Sequence, residues 1–135
     1  MIETALLNGP PNEVCYTGID LFEARIAADG PGVTLKMAHR MLKSTGVRVK
    51  LVPGDSFSAL ARTANSLRET DLVVISSRQD PEIMARSWYF IPRVLHSESL
   101  VLREETRPGG RLVLRSVSRD ELQGLAQAAS LSRAA

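Results

Sequence analysis

Aromatic side chains are scarce in this sequence, at 4% of its residues, and there are only one cysteine and two histidines among 135 residues. A lone cysteine, Cys15, forms no disulfide within the chain, so a reducing, cytoplasmic setting is expected. Cys15 falls in an apolar run, where a small buried thiol is expected instead of a reactive one. His39 and His96 have no partner at the spacing of a metal site or a catalytic triad, and both read as structural or exposed. His96 follows a helix end and would favour that end when protonated. Nucleic-acid surfaces need clustered cations with aromatics between them. Here 17 Lys and Arg stand against 15 Asp and Glu, the arginines are scattered, and no nucleic-acid partner is expected. No apolar run approaches the ~20 residues that cross a bilayer, so no membrane partner is expected either. The first residues lack a charged segment followed by a long apolar core, so no secretory signal is read.

What the sequence does contain is a set of short β-branched runs that end beside carboxylates. Val14–Phe22 carries Asp20. Val47–Val52 leads into Pro53-Gly54-Asp55. Leu72–Ile75 leads into Ser76-Ser77 and then Asp80. Helical periodicity fills the intervals. Met1–Leu7 reads as the end of a helix, stopped by Asn8-Gly9-Pro10-Pro11-Asn12. Asp29-Gly30-Pro31-Gly32 is a turn. Thr34 caps a helix over Leu35–Ser44, with Leu35, Ala38, Met41 and Leu42 inward and Gly46 ending it. Val47, Val49 and Leu51 alternate with Arg48 and Lys50, as in an edge strand with one wet face. Ser56 caps a helix over Phe57–Leu67, whose inner stripe is Phe57, Leu60, Ala61, Ala64 and Leu67. Leu72–Ile75 is apolar throughout, as in a central parallel strand.

Asp80-Pro81-Glu82 is a helix start, with Ile83, Met84, Ser87, Trp88 and Ile91 inward and Pro92 as a kink or stop. Trp88 is expected on the sheet, and Tyr89 or Phe90 facing outward. Ser99–Glu104 and Arg111–Val117 form a hairpin about Pro108-Gly109-Gly110. Ser118 and Glu121 make a capping box for a last helix, with Leu122, Leu125, Ala126 and Ala129 inward and Ser130–Ala135 frayed. Arg103, Arg107, Arg111, Arg115, Arg119 and Arg133 concentrate cations near the C-terminus, as a solvated strand face or as a surface for an anionic partner. The order predicts an α/β fold in three layers. Its sheet is mostly parallel, of about five strands, with a C-terminal hairpin strand and helix. At this length residues 1–135 read as one domain, and ligands of such a sheet sit at the strand C-terminal ends.

This order, with these strand endings, resembles a class I S-adenosylmethionine-dependent methyltransferase from its second strand onward. Tyr16-Thr17-Gly18-Ile19-Asp20 looks like the second strand, and the resemblance gives Asp20 to the ribose hydroxyls of the cofactor. Val52-Pro53-Gly54-Asp55-Ser56-Phe57 looks like the segment after the third. There Asp55 would accept from the adenine amino group, and the N–H of Ser56 or Phe57 would meet a ring nitrogen. Asp71-Leu72-Val73-Val74-Ile75-Ser76 resembles the fourth strand, with Ser76 toward the sulfonium, and Ser99–Glu104 the fifth. The implied cofactor is S-adenosylmethionine, bound by Asp20, Gly54, Asp55, Ser56, Phe57 and Ser76.

The family's first strand and its glycine-rich turn have no counterpart in the 13 residues before Val14. That strand is central in the family's sheet, and its neighbours would be the strands beginning near Val14 and Leu72. Direct pairing of those two, entry of Arg111–Val117, a homodimer, or a chain that is a fragment would each resolve the gap. The same residues also admit an adenine-nucleotide module of the universal-stress-protein type, although Ser76-Ser77-Arg78-Gln79 lacks that family's glycines, or a non-catalytic interaction domain. A helix cap is the rival reading of Asp55 and Asp80. Asp80 with Glu104 and Glu105 could hold a magnesium ion, a weaker reading than the cap.

Overall fold

The computed structural model describes Pro10, residues 13–26 and residues 31–134, with side chains as far as Ser132. The helix expected over Met1–Leu7 therefore lies outside the described residues, as does the first half of the turn at Asp29–Gly32. The described chain forms two compact α/β units, one ending at Asp55 and one starting at Ser56.

In the first unit, strand β1 spans Cys15–Asp20, a 3-10 turn Phe22–Ala24, helix α1 Leu35–Lys43, and strand β2 Arg48–Pro53. The two strands are parallel and in register from Cys15 opposite Arg48 to Asp20 opposite Pro53. α1 forms where expected: Thr34 is extended, and its hydroxyl accepts from the Met37 amide at 3.1 Å. Gly46 ends the turn that follows, with φ of 79°, a conformation that costs other residues energy. Ala38 is buried and Leu35 and Leu42 are half-buried, but Met41 is 63% exposed and does not join the inner stripe. The strand face of Arg48 and Lys50 is exposed as expected. Cys15 is exposed, contrary to the expectation of a buried thiol. It is the first residue of its strand and lies opposite exposed Arg48, so nothing closes over it.

In the second unit, helix α2 spans Ser56–Thr63 and tightens into a 3-10 turn over Ala64–Leu67. It is followed by β3 (Thr70–Ile75), α3 (Pro81–Ser87), the short α4 (Ile91–Val94), β4 (Leu95–Thr106), β5 (Leu112–Ser116) and α5 (Arg119–Ala134). β4 pairs parallel with β3 and antiparallel with β5. All five expected strands are thus present. Their hydrogen bonds join them as a sheet of two and a sheet of three, where the sequence had suggested one sheet.

Three details depart from the periodicity. The inner stripe of α2 is Ala59, Leu60, Thr63 and Ala64, one residue off the expected face, and Ala61 is exposed. Thr63 is tolerated inside because its hydroxyl donates to the Ala59 carbonyl at 2.7 Å. Phe90 is buried at 7%, meeting Tyr89 edge-on and Phe57 at a tilt, so the expected outward aromatic is reduced to half-buried Tyr89. The break near Pro92 comes earlier, at Trp88–Phe90, and Pro92 sits in the first turn of α4, where its missing N–H is harmless. The last helix runs on to Ala134.

The core of this unit lies on one face of the three-stranded sheet. Val101, Val94 and Trp88 are 1–2% exposed, with Ile75, Val117, Met84, Leu122 and Ala129 around them. The other face carries Leu72, Val74, Leu100, Leu112 and Leu114, all at least 36% exposed. β3 was expected to be covered on both sides, and only its Val73 and Ile75 side is.

The start of α3 follows the sequence signal closely. One Asp80 carboxylate oxygen accepts from the amides of Glu82 (2.9 Å) and Ile83 (3.2 Å), and Pro81 occupies the first turn. Asp80→Ala should lower the unfolding free energy in urea by about 1 kcal/mol. Asp80→Asn, which keeps an acceptor, should lose less.

Candidate functional site

Parallel pairing sends the C-terminal ends of β1 and β2 to the same rim. Asp20 closes β1 opposite Pro53, and the next amide, Gly54 N–H, donates to the Asp20 carbonyl at 2.9 Å. Asp20, Gly54 and Asp55 are therefore neighbours on one edge of the first unit. Gly54 has φ of 136°, a conformation nearly confined to glycine. Phe22, two residues beyond Asp20, is buried and has φ of 50°, uncommon for a bulky residue. Both strand ends thus leave the sheet through constrained backbone.

The chain turns back over Phe22–Ala24 so that the Arg25 guanidinium reaches Oδ1 of Asp20. The Asp20 side chain remains 31% exposed. Among the described contacts its second oxygen, Oδ2, takes no part. Glu23 in the same turn accepts from the Leu35 amide at 2.8 Å, which ties the turn to the start of α1. A groove of about 530 Å³ is lined by Glu23 and, on α1, by Leu35 together with Lys36, His39, Arg40 and Lys43. The last four follow a spacing of 3, 1 and 3, so they share one helix face. This cationic face was legible in the sequence and was passed over there in favour of the apolar stripe.

The remaining residues assigned by resemblance belong to the second unit. Ser56 opens α2, and its hydroxyl lies 2.7 Å from that of Ser87. Ser87 spends its own proton on the Ile83 carbonyl, so Ser56 is the donor in that pair. The Phe57 ring packs on Phe90, with the Arg86 guanidinium 4.0 Å from its centroid. Ser76 follows β3, and its hydroxyl accepts from the Arg78 amide.

The three carboxylates that could have shared a magnesium ion are engaged separately. Asp80 caps α3. Glu104 accepts from the amide (3.2 Å) and hydroxyl (2.9 Å) of Ser77. Glu105 points to the opposite face of β4, where Arg115 donates to it at 2.5 Å. Among the described residues no group of three or more metal-ligating side chains converges.

One pair escaped the sequence reading. Nε2 of His96 lies 2.7 Å from Asp71 Oδ1, and its Nδ1 accepts from the Glu98 amide at 3.1 Å. Nδ1 is thus the unprotonated nitrogen, and the ring donates through Nε2 to Asp71. With both nitrogens engaged, the ring ties the start of β4 to β3. The 25 residues between the two carry no spacing signal; only the parallel pairing of β3 with β4 brings them together.

No protein-family model, no curated protein and no solved structure matches the chain.

The charge network of the second unit sets its response to acid. Ser77, through its amide and then its hydroxyl, holds the Glu104 carboxyl below its ordinary pKa. The hydrogen bond from Arg115 does the same first for Glu105 and also for Glu121, while those carboxylates push the guanidinium pKa upward. A carboxyl lowered on folding adds stability above its unfolded pKa, about 4.3, and the gain is lost as pH falls through the folded value. The urea midpoint should therefore fall with pH below about 4.3, and Arg115→Ala should flatten that acid limb. At the first rim, Gly54→Ala should destabilise by about 1 kcal/mol or more in the same assay, because alanine resists the conformation held there.

Proposed function

We propose that the rim of β1 and β2 binds the nucleoside part of an adenosine-containing cofactor, and that the chain is a methyltransferase-like domain of Rossmann-like type using S-adenosylmethionine. The observation that carries this reading is the adjacency of Asp20 and Gly54-Asp55 at the ends of two parallel, in-register strands. Antiparallel strands would have sent these carboxylates to opposite rims. The parallel pairs β1 with β2 and β3 with β4 are compatible with the second to fifth strands that the resemblance assigns.

The residues present suit a nucleoside. Ribose hydroxyls are donors, and Oδ2 of Asp20 is an acceptor beside an oxygen already oriented by Arg25. Gly54 lets the backbone come close to a ring without an intervening side chain. Asp55 follows directly and can accept from an exocyclic amine. A bound S-adenosylmethionine would supply an electrophilic methyl group. The protein's part would be to hold the nucleoside and so fix the orientation in which an acceptor meets that methyl.

A second reading rests on the cationic face of α1. Lys36, Arg40 and Lys43 line a groove that begins at the turn after Asp20, a setting suited to the phosphates of an adenine nucleotide.

Calorimetric titration with S-adenosylmethionine, S-adenosylhomocysteine and ATP separates the two. The first reading expects heat with both sulfur compounds. It also expects Asp20→Ala to weaken them by about 10- to 100-fold, the worth of hydrogen bonds to a charged group, with an unchanged melting temperature as the folding control. Heat with ATP alone, reduced in a Lys36→Ala/Arg40→Ala variant, selects the second. Absence of heat with all three rejects both.

A further inference from the structure

A groove of about 540 Å³ lies between α3 and α5 in the second unit. That volume falls within the range of small-molecule sites. Its inner wall includes the Trp88 side chain, and its width comes from small residues on both helices, Ala85 on α3 and Ala128 and Ala129 on α5. Two arginines, Arg86 and Arg103, line it.

Arg103 is the unusual one. It sits on the covered face of β4, half-buried, with its guanidinium 5.6 Å from the centre of the Trp88 ring. Its cross-strand partner on the same face is Arg115. Like charges directly opposite each other on a sheet are unfavourable. Arg115 is relieved by two carboxylates, Glu105 at 2.5 Å and Glu121 at 2.9 Å. Among the described residues no carboxylate lies within ion-pair distance of Arg103 or Arg86, and neither guanidinium donates a described hydrogen bond. Arg86 rests on the Phe57 face instead. Elsewhere Arg25, Arg93 and Arg119 all donate to oxygen atoms. Glu82 stands on the groove's wall, and the α3 sequence gives it to the first turn, where it favours the helix start.

We infer that this groove is a binding site for a small anionic amphiphile, a carboxylate with an apolar body. The carboxylate takes the fork of Arg103, which presents its donors in a plane matched to two oxygens. The body lies along Trp88, Leu125 and the alanines of α5. Such a ligand gives the Arg103 fork a partner at hydrogen-bond distance, which Glu105 and Glu121, acting on it only through space, do not supply, and it covers apolar wall that water now meets. Neither guanidinium alone would select an amphiphile; the selection comes from a cation set at the end of an apolar trough. This site is separate from the β1 and β2 rim and does not depend on the reading given to that rim.

Trp88 is the chain's only tryptophan, so its emission reports the groove directly. Octanoate is the probe, with octanol and octylamine as the neutral and cationic controls at constant ionic strength. Octanoate should change the Trp88 emission saturably, octanol should bind about tenfold more weakly or worse, and octylamine should not saturate. Arg103→Met keeps the packing volume and removes the charge. It should weaken octanoate by about tenfold or more and bring it level with octanol. Because a change on the covered face could disturb folding, Ala128→Phe is the second variant. Ala128 is exposed on α5, and a phenyl ring there fills the trough and should abolish the octanoate response. Equal binding of octanoate and octanol to the unaltered chain, or an octanoate response that survives either folded variant, overturns the inference.

Discussion

The direction of pairing between β1 and β2 is the constraint on which the functional reading depends. Two strands that run the same way, joined through a helix, deliver their ends to one edge. Whatever polar residues follow them must then share that edge. The Gly54 amide on the Asp20 carbonyl fixes the offset between the two ends to within one hydrogen bond. Everything near it is adjusted to that fixed point. Phe22 accepts a rare conformation and is buried in exchange, Arg25 returns to neutralise part of Asp20, and Glu23 reaches forward to the first turn of α1. A single short turn therefore positions a carboxylate, orients it, and begins the next helix.

The second unit depends on a different economy, in which arginines and carboxylates are shared across a sheet and a helix start. Glu121 illustrates it. The sequence places it to complete a capping box with Ser118, and the Ser118 hydroxyl does accept the Glu121 amide at 3.1 Å. The Glu121 carboxylate turns away to Arg115, with both oxygens used at 2.9 and 3.0 Å. A paired, two-point contact with a guanidinium is stronger than a neutral amide contact, and it draws the start of α5 down onto β5. Half of the box forms, and the other half is traded for a tertiary link. The same diversion leaves Arg103, among the described residues, with no carboxylate at contact distance, although Glu105 and Glu121 act on it through space.

Local chemistry was readable in the sequence, and cross-strand chemistry was not. Thr34, Asp80 and Gly46 act within three or four residues of themselves, and the spacing alone was enough to place them. The strands were found because β-branched runs between turn residues have few other outcomes. The failures on the strands required knowledge of register. Cys15 is apolar and in a strand, yet strand position decided its exposure. Leu72 and Val74 belong to a uniformly apolar run, and such a run does not say which side will be covered. Ala61 fits a 3.6-residue period, but so do Ala59 and Thr63, and it is their face that is buried. Asp71 and His96, like Arg103 and Arg115, meet only because particular residues of β3, β4 and β5 lie opposite one another. The candidate rim divides in the same way. Asp20 beside Gly54-Asp55 follows from order and direction, whereas the engagement of Asp20 by Arg25 depends on a reversal at Phe22 that no residue there announces.

The uncovered side of the three-stranded sheet has a physical consequence of its own. Hydrocarbon left wet on Leu72, Val74, Leu100, Leu112 and Leu114 makes the chain's behaviour depend on the solvent as much as on its own contacts. Sulfate, phosphate and excluded osmolytes raise the free energy of wet apolar surface, whereas urea lowers it. A protein sealed on both sides feels those agents mainly through unfolding. This one meets them on that face while still folded.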